Sequence, residues 1–301
     1  MKPGLAEGRE PERRVPDRAV LDPGVPNRAV PGRAVGRGVV SRGARFWLQL
    51  AFTVAVCLFL VVPVVMSVLA GITENFFIGI RSGLTLRWIV EVWTQYAGTI
   101  YLSIGIALAC LAVTLLLGVP AAYALARSQN RWSRAFEELL VLPVAVPGLA
   151  TALALILTYG QLRGFRSSWS FILVGHVLFT LPFMVRSVLA VMAAIDLKTL
   201  EDAAASLGAG FTRRFFQVIL PNAMPGILAG SLMVVTLSMG EFNITWMLHT
   251  PLTQTLPVGL ADAYASMRLE IGSAYTIVFF VMIVPLLVAL QWLSDRAARV
   301  A

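Results

Sequence analysis

Apolar residues fall along this chain in long blocks. Six stretches without Asp, Glu, Lys or Arg cover residues 46–70, 97–126, 139–162, 167–185, 215–240 and 271–294. Each reaches or approaches the ~20 residues that a helix needs to cross a hydrocarbon core. An open sheet would leave unpaired backbone groups in lipid, whereas a helix pairs its own. The pattern predicts an all-α integral membrane protein with six transmembrane helices over residues 46–296. Between the first two runs, "LTLRWIVEVWTQY" (84–96) mixes Trp88, Trp93 and Tyr96 with an Arg and a Glu, which suits a short helix at the membrane interface.

The first 45 residues obey a different rule. "VPDRAV", "VPNRAV" and "VPGRAV" recur, rich in Pro, Gly and Arg, with no aromatic before Phe46. Such a segment buries too little apolar surface to offset its ordering entropy and is expected to be a disordered tail. Its basic region is too long for a cleavable signal.

Composition agrees with a membrane domain. Of 301 residues, 58% are hydrophobic and only 13% charged, about half the charged share of a soluble domain, roughly a quarter. The net charge of +8 comes from Lys and Arg that flank apolar runs, a topology signal and not a nucleic-acid-binding face. With the N-terminus inside, 19 of the 24 Lys and Arg lie on the inner side and 5 on the outer. Both termini, including residues 297–301, are expected to be cytoplasmic. Cys57 and Cys110 lie inside apolar runs, and His176 and His249 lack metal-ligand spacing; no metal site is expected. His176, mid-helix, is expected to hydrogen-bond a neighbouring helix.

One segment breaks the apolar pattern. "EDAAASLGAGFTRRFFQVILPNAMPG" (201–226) places Glu201, Asp202, Arg213 and Arg214 among Ala203, Ala204, Ala205, Gly208 and Gly210. Thr199 is a reasonable N-cap, with Glu201 and Asp202 in the first turn. Gly208 and Gly210 suit a left-handed helix end, and a second piece runs into Pro221. The spacing Asp202-Ala203-Ala204, Gly208, then Val218-Ile219-Leu220-Pro221 resembles the cytoplasmic "EAA" loop of binding-protein-dependent ABC importer permeases, with Asp at the Glu position and Val for Ile. The resemblance, over residues 46–296, implies that the loop is a coupling element in which Glu201, Asp202, Ala203, Ala204, Ala205, Gly208, Leu220 and Pro221 meet a separate ATPase. It also implies two ATPase subunits, a second permease subunit, identical or homologous, a periplasmic or lipid-anchored solute-binding protein, and residence in the bacterial inner membrane. No GxxxxGK[ST] loop exists, since Lys2 and Lys198 do not follow glycine. This chain is therefore expected to be no enzyme and to hold no cofactor, with ATP and Mg on the partner ATPase.

Other candidates lie elsewhere along the chain. Gly226 and Gly230, at GxxxG spacing, permit close helix crossing. Pro143, Pro147, Pro182 and Pro285 are expected to kink their helices. Glu241, about 30 Å along its helix from Pro221, is a carboxylate near a span and so a substrate-path candidate together with Asn243; an interfacial Glu paired with Arg268 is the alternative. "SMGEFNITWML" and "TLPVGLADAY" resemble the subgroup that carries polyamines, phosphonates, ferric iron, thiamine, molybdate or sulfate, implying a small charged or polar solute. A membrane enzyme would need intramembrane catalytic pairs, which the charge-free runs lack. An ion-gradient-driven secondary transporter or channel would favour intramembrane carboxylates, for which Glu241 is the one candidate.

Overall fold

The computed structural model describes residues 42–300 apart from 129, and the side chains of these except at 42–44, 293–295 and 297–300. The disordered-tail expectation for residues 1–41 lies outside the described residues. The chain divides into two units between Val54 and Ala55. Helix α1 (Arg42–Gly71) starts before Phe46. The 42–54 stretch exposes Phe46, Trp47, Leu48, Leu50 and Phe52, as expected of residues facing lipid.

From residue 55 onward the order is the rest of α1, a 3-10 turn (Gly79–Ser82), α2 (Arg87–Gln95), α3 (Ala97–Arg127), α4 (Arg131–Ala145), α5 (Gly148–Tyr159), α6 (Arg163–Arg166), α7 (Trp169–Ala194), α8 (Leu197–Ser206), α9 (Phe211–Arg214), a π-helical turn (Phe215–Ile219), α10 (Leu220–Gly240), α11 (Asn243–Leu248), α12 (Leu256–Ala265) and α13 (Leu269–Val300). Among the described residues, five helices are long and apolar enough to cross a membrane, and a sixth span exists if the bent pair α4–α5 counts as one. The expected single helix over 139–162 is therefore corrected: it is broken at Val146–Pro147, with a bend of 101°. Pro147 lacks the N–H that would continue the ladder and forces Val146 into an extended conformation (φ −87°, ψ 134°). Pro143, Pro182 and Pro285 lie inside helices that continue past them.

α3, α7 and α10 share the central core, where Cys110, Val119, Met184, Val188, Ile227 and Val234 interlock. Glycine sets how closely two of them approach. A Cβ on Gly226 would lie 2.7 Å from the Ser187 carbonyl oxygen and 3.0 Å from Val188 Cα, and one on Gly230 would lie 2.8 Å from Met184 Sδ. The GxxxG face thus closes α10 onto α7 within one chain. α13 completes the bundle through Tyr275 and Val278, which pack with Val92 of α2 and Leu256 of α12. Trp88 on α2 donates from Nε1 to the Thr73 carbonyl at 3.0 Å, while Trp93 is exposed.

Proline also explains the shape of α10's start. Pro221 cannot bond back along the helix, yet Phe211–Gly240 forms one continuous span. The wide π turn just before Pro221 absorbs the missing bond, so the apolar run over 215–240 continues through the proline as one helix.

Candidate functional site

The segment around 197–221 is an elbow between α7 and α10. α8 begins earlier than expected, at Leu197, and its cap is Asp196 and not Thr199: Asp196 accepts from the Thr199 backbone N–H at 3.2 Å and from its hydroxyl at 2.6 Å. These bonds, the side-chain one foremost, hold the exposed Asp196 carboxyl below its ordinary value of 3.8. A depressed carboxylate stabilises above its unfolded pKa, and that contribution disappears as pH falls through the lower folded value. Protection of α8 amides, corrected for intrinsic exchange, is expected to drop below about pH 4, the ordinary carboxylate range. Asp196→Asn, also a good cap, should retain protection at neutral pH and Asp196→Ala should not.

The C-terminus of α8 closes as a Schellman turn. Gly208 has φ +80°, and the Gly208 and Ala209 amides donate to the carbonyls of Ala205 (2.9 Å) and Ala204 (3.0 Å). Gly210 is extended (φ −68°, ψ 168°) and starts α9, so only one of the two glycines takes the left-handed role.

α8 is two-faced. Glu201 is buried and accepts a hydrogen bond from the Tyr123 hydroxyl; Arg127 Nε lies 3.5 Å from its other oxygen, and Arg127 Nη1 reaches Tyr123 at 3.4 Å. This ties α8 to the end of α3. Phe215, packed edge-on to the Tyr123 ring at 5.3 Å, carries the same contact into the π turn. Asp202, Ala203, Ala205 and Ser206 are exposed, and Ala204 is partly buried. Leu207 is 89% exposed; sequence reasoning passed over it because a single Leu beside alanines looks like helix filler. An open cleft of about 1220 Å³ lies beside Asp202, walled by Arg127, Arg134, Glu137, Arg186 and Lys198. Leu220 is partly buried and Pro221 exposed, at the start of α10.

At the opposite end of α10, Glu241 is buried and does not pair with Arg268, which instead donates to the Tyr96 hydroxyl at 2.7 Å. The Glu241 carboxylate accepts the backbone N–H groups of Ile244 and Thr245, both at 2.9 Å, and the Thr245 hydroxyl at 3.0 Å. It therefore caps α11. The other end of α11 is held by Arg166, which donates to the Leu248 carbonyl at 2.7 Å. A carboxylate at the N-terminus and a guanidinium at the C-terminus both complement the helix dipole. Small residues seat the helix: a Cβ on Gly175 would lie 2.6 Å from Ile244 Cγ2, and one on Gly148 would lie 3.2 Å from Asn243 Cβ. Asn243 and Trp246 remain exposed, and the Trp246 ring packs at a tilt against those of Phe242 and His249.

Residues 114–299, from the middle of α3 to the end of α13, match the family described as "Binding-protein-dependent transport system inner membrane component". The chain belongs to that family. Its similarity extends to the putrescine transport system permease protein PotI of Escherichia coli K12, 28% identical over 212 residues (66% of this chain, 74% of PotI). The molybdenum transport system permease protein ModB of the same organism is 28% identical over 222 residues, covering 66% of this chain and 96% of ModB. A putative 2-aminoethylphosphonate transport system permease protein, PhnV of Salmonella typhimurium, is 28% identical over 244 residues, 80% of this chain and 91% of that one. Among solved structures, a bacterial ABC transporter involved in the import of alginate shares the fold, with TM-score 0.65 and 15% identity over 84% of this chain and 96% of that chain. This protein is a permease subunit of an ABC importer: a multi-pass membrane protein of the class that works with an ATPase and a binding protein.

Proposed function

We propose that the permease forms half of a solute path and receives the ATPase on α8 through the exposed surface Asp202, Ala203, Ala205, Ser206 and Leu207. The observation that carries this reading is the two-faced construction of α8: one side fixed to α3 by Glu201, the other low-profile, acidic and crowned by Leu207. Small side chains admit a close approach, Asp202 offers a charge to a basic partner, and the exposed Leu207 offers apolar surface whose burial against a partner is favourable. ATP and Mg chemistry belongs to that partner, since this chain has no phosphate-binding loop. A second permease, identical or homologous, and a solute-binding protein complete the assembly. The Lys/Arg bias places α8 and both termini in the cytoplasm and α11 outside.

The solute class is small and charged or polar. The relatives' names include a cation, putrescine, and an anion precursor, molybdenum, so the sign of charge is left to this chain's own pathway residues, for which Glu241 and Asn243 are the candidates.

The test is a pair of substitutions on one surface. Leu207→Asp and Gly208→Asp should insert normally but fail to co-purify with the ATPase and lose ATP-driven uptake in proteoliposomes. A Cβ on Gly208 meets nothing within 4 Å, so the substitution costs only the left-handed backbone, roughly 1–2 kcal/mol. Unchanged co-purification in both variants would remove α8 as the coupling element.

A further inference from the structure

We propose that His176 is a positioning residue that fastens α11 to the bundle through a one-directional hydrogen-bond chain. Its ring is buried between three helices: Nδ1 lies 2.8 Å from Ser238 Oγ on α10, and Nε2 lies 2.8 Å from Thr245 Oγ1 on α11. Counting protons assigns the direction. The Thr245 hydroxyl has one proton, and the Glu241 carboxylate 3.0 Å away has none to give. Thr245 therefore donates to Glu241 and must accept from His176, which places the ring proton on Nε2. Nδ1 is then an acceptor, filled by the Ser238 hydroxyl. The chain runs Ser238 to His176 to Thr245 to Glu241, with His176 and Thr245 each accepting one bond and donating the next.

The consequence follows from the length of α11. A six-residue helix cannot sustain itself, because nucleation consumes most of its bonds. Glu241 holds its N-terminus, but Glu241 sits on the same connecting segment and can move with it. His176 is the link from that cap to α7, a helix of the central core. Without the ring, Thr245 and Glu241 lose their polar tie to α7, and α11 is left with Arg166 at its far end and with the apolar packing of Ile244 and Leu248 against Ile106, Leu155 and Phe171, which sets no hydrogen-bond register. The effect on transport rests on the reading that α11 borders the outer end of the solute path.

The experiment reads the position of α11 independently of transport. In the assembled importer, with exposed Cys57 replaced by serine, Leu248→Cys places a thiol at a site that is 1% exposed. Its labelling by a membrane-impermeant thiol reagent is followed in three backgrounds. A glutamine amide reaches the Nε2 position and can still donate to Thr245; an asparagine reaches only the Nδ1 position; leucine fills space alone. His176→Gln should keep Leu248→Cys protected, whereas His176→Asn and His176→Leu should label about tenfold faster, the change expected from one lost buried hydrogen bond. Uptake should fall in step. Equal protection in all three, or protection by Asn as good as by Gln, would overturn the proposal. If His176→Leu fails to insert, Thr245→Val keeps the shape, removes only the relay oxygen, and must raise labelling; protection in that variant also overturns it. Faster labelling with unchanged uptake would support the fastening and overturn instead the placing of α11 on the solute path.

Discussion

Gly226→Val is expected to cost the permease its stable bundle. The Cβ would sit 2.7 Å from a backbone oxygen, 2.9 Å from Val191 Cγ2 and 3.0 Å from a backbone carbon of α7. A flexible side chain can swing aside, but backbone atoms yield only if α7 moves, and α7 also packs against α3 in the same core. Overpacking of a tight interior costs about 1–3 kcal/mol and occasionally more, and rigid neighbours put this site at the upper end. Gly230→Ala meets first the sulfur of Met184, a long and adaptable side chain, and should cost less. Gly105→Ala, on α3, meets nothing within 4 Å and serves as the control, neutral or slightly stabilising by helix propensity. Thermal denaturation in detergent should rank the variants in that order. Equal melting temperatures for Gly226→Val and Gly105→Ala would contradict the close α7–α10 contact.

Glu201→Ala is expected to uncouple ATP hydrolysis from uptake. The variant leaves the Tyr123 hydroxyl without its carboxylate and releases α8 from α3. A buried hydrogen bond to a charged group is worth about 1.5–3 kcal/mol; the Arg127 contribution is smaller, because that side chain is 55% exposed and water screens it. The loss falls on one joint, so the bundle should persist while α8 pivots. Uptake per ATP hydrolysed in proteoliposomes should drop several-fold, with the ATPase still bound. Glu201→Gln still accepts from Tyr123 and should lie between. Asp202→Asn, on the exposed face, should leave the melting temperature unchanged and weaken ATPase docking alone. If Glu201→Ala and Asp202→Asn behave alike, the anchoring of α8 to α3 is not what transmits the motion.

The sequence by itself determined the class of this protein. Charge-free runs of about 20 residues leave only helices in lipid, and the spacing from Asp202 through Gly208 to Pro221 carried the likeness to ABC importer permeases. These are properties of composition and local spacing, readable without knowing which helix neighbours which. Tertiary structure decided the rest. Glu201 and Asp202 are adjacent and chemically alike, yet one is buried against Tyr123 and Arg127, 78 and 74 positions earlier in the chain, and the other faces outward. Glu241 was legible as an unusual carboxylate, and its bonds to the Ile244 and Thr245 amides are local, but its place beside His176 depends on how α7 and α10 pack. The broken span at Pro147 had its cause in view, since a proline marks where a helix loses a bond. Pro182 and Pro285 carry the same signal and leave their helices whole. A missing hydrogen bond is a local fact, whereas whether the helix ends there depends on what packs around it.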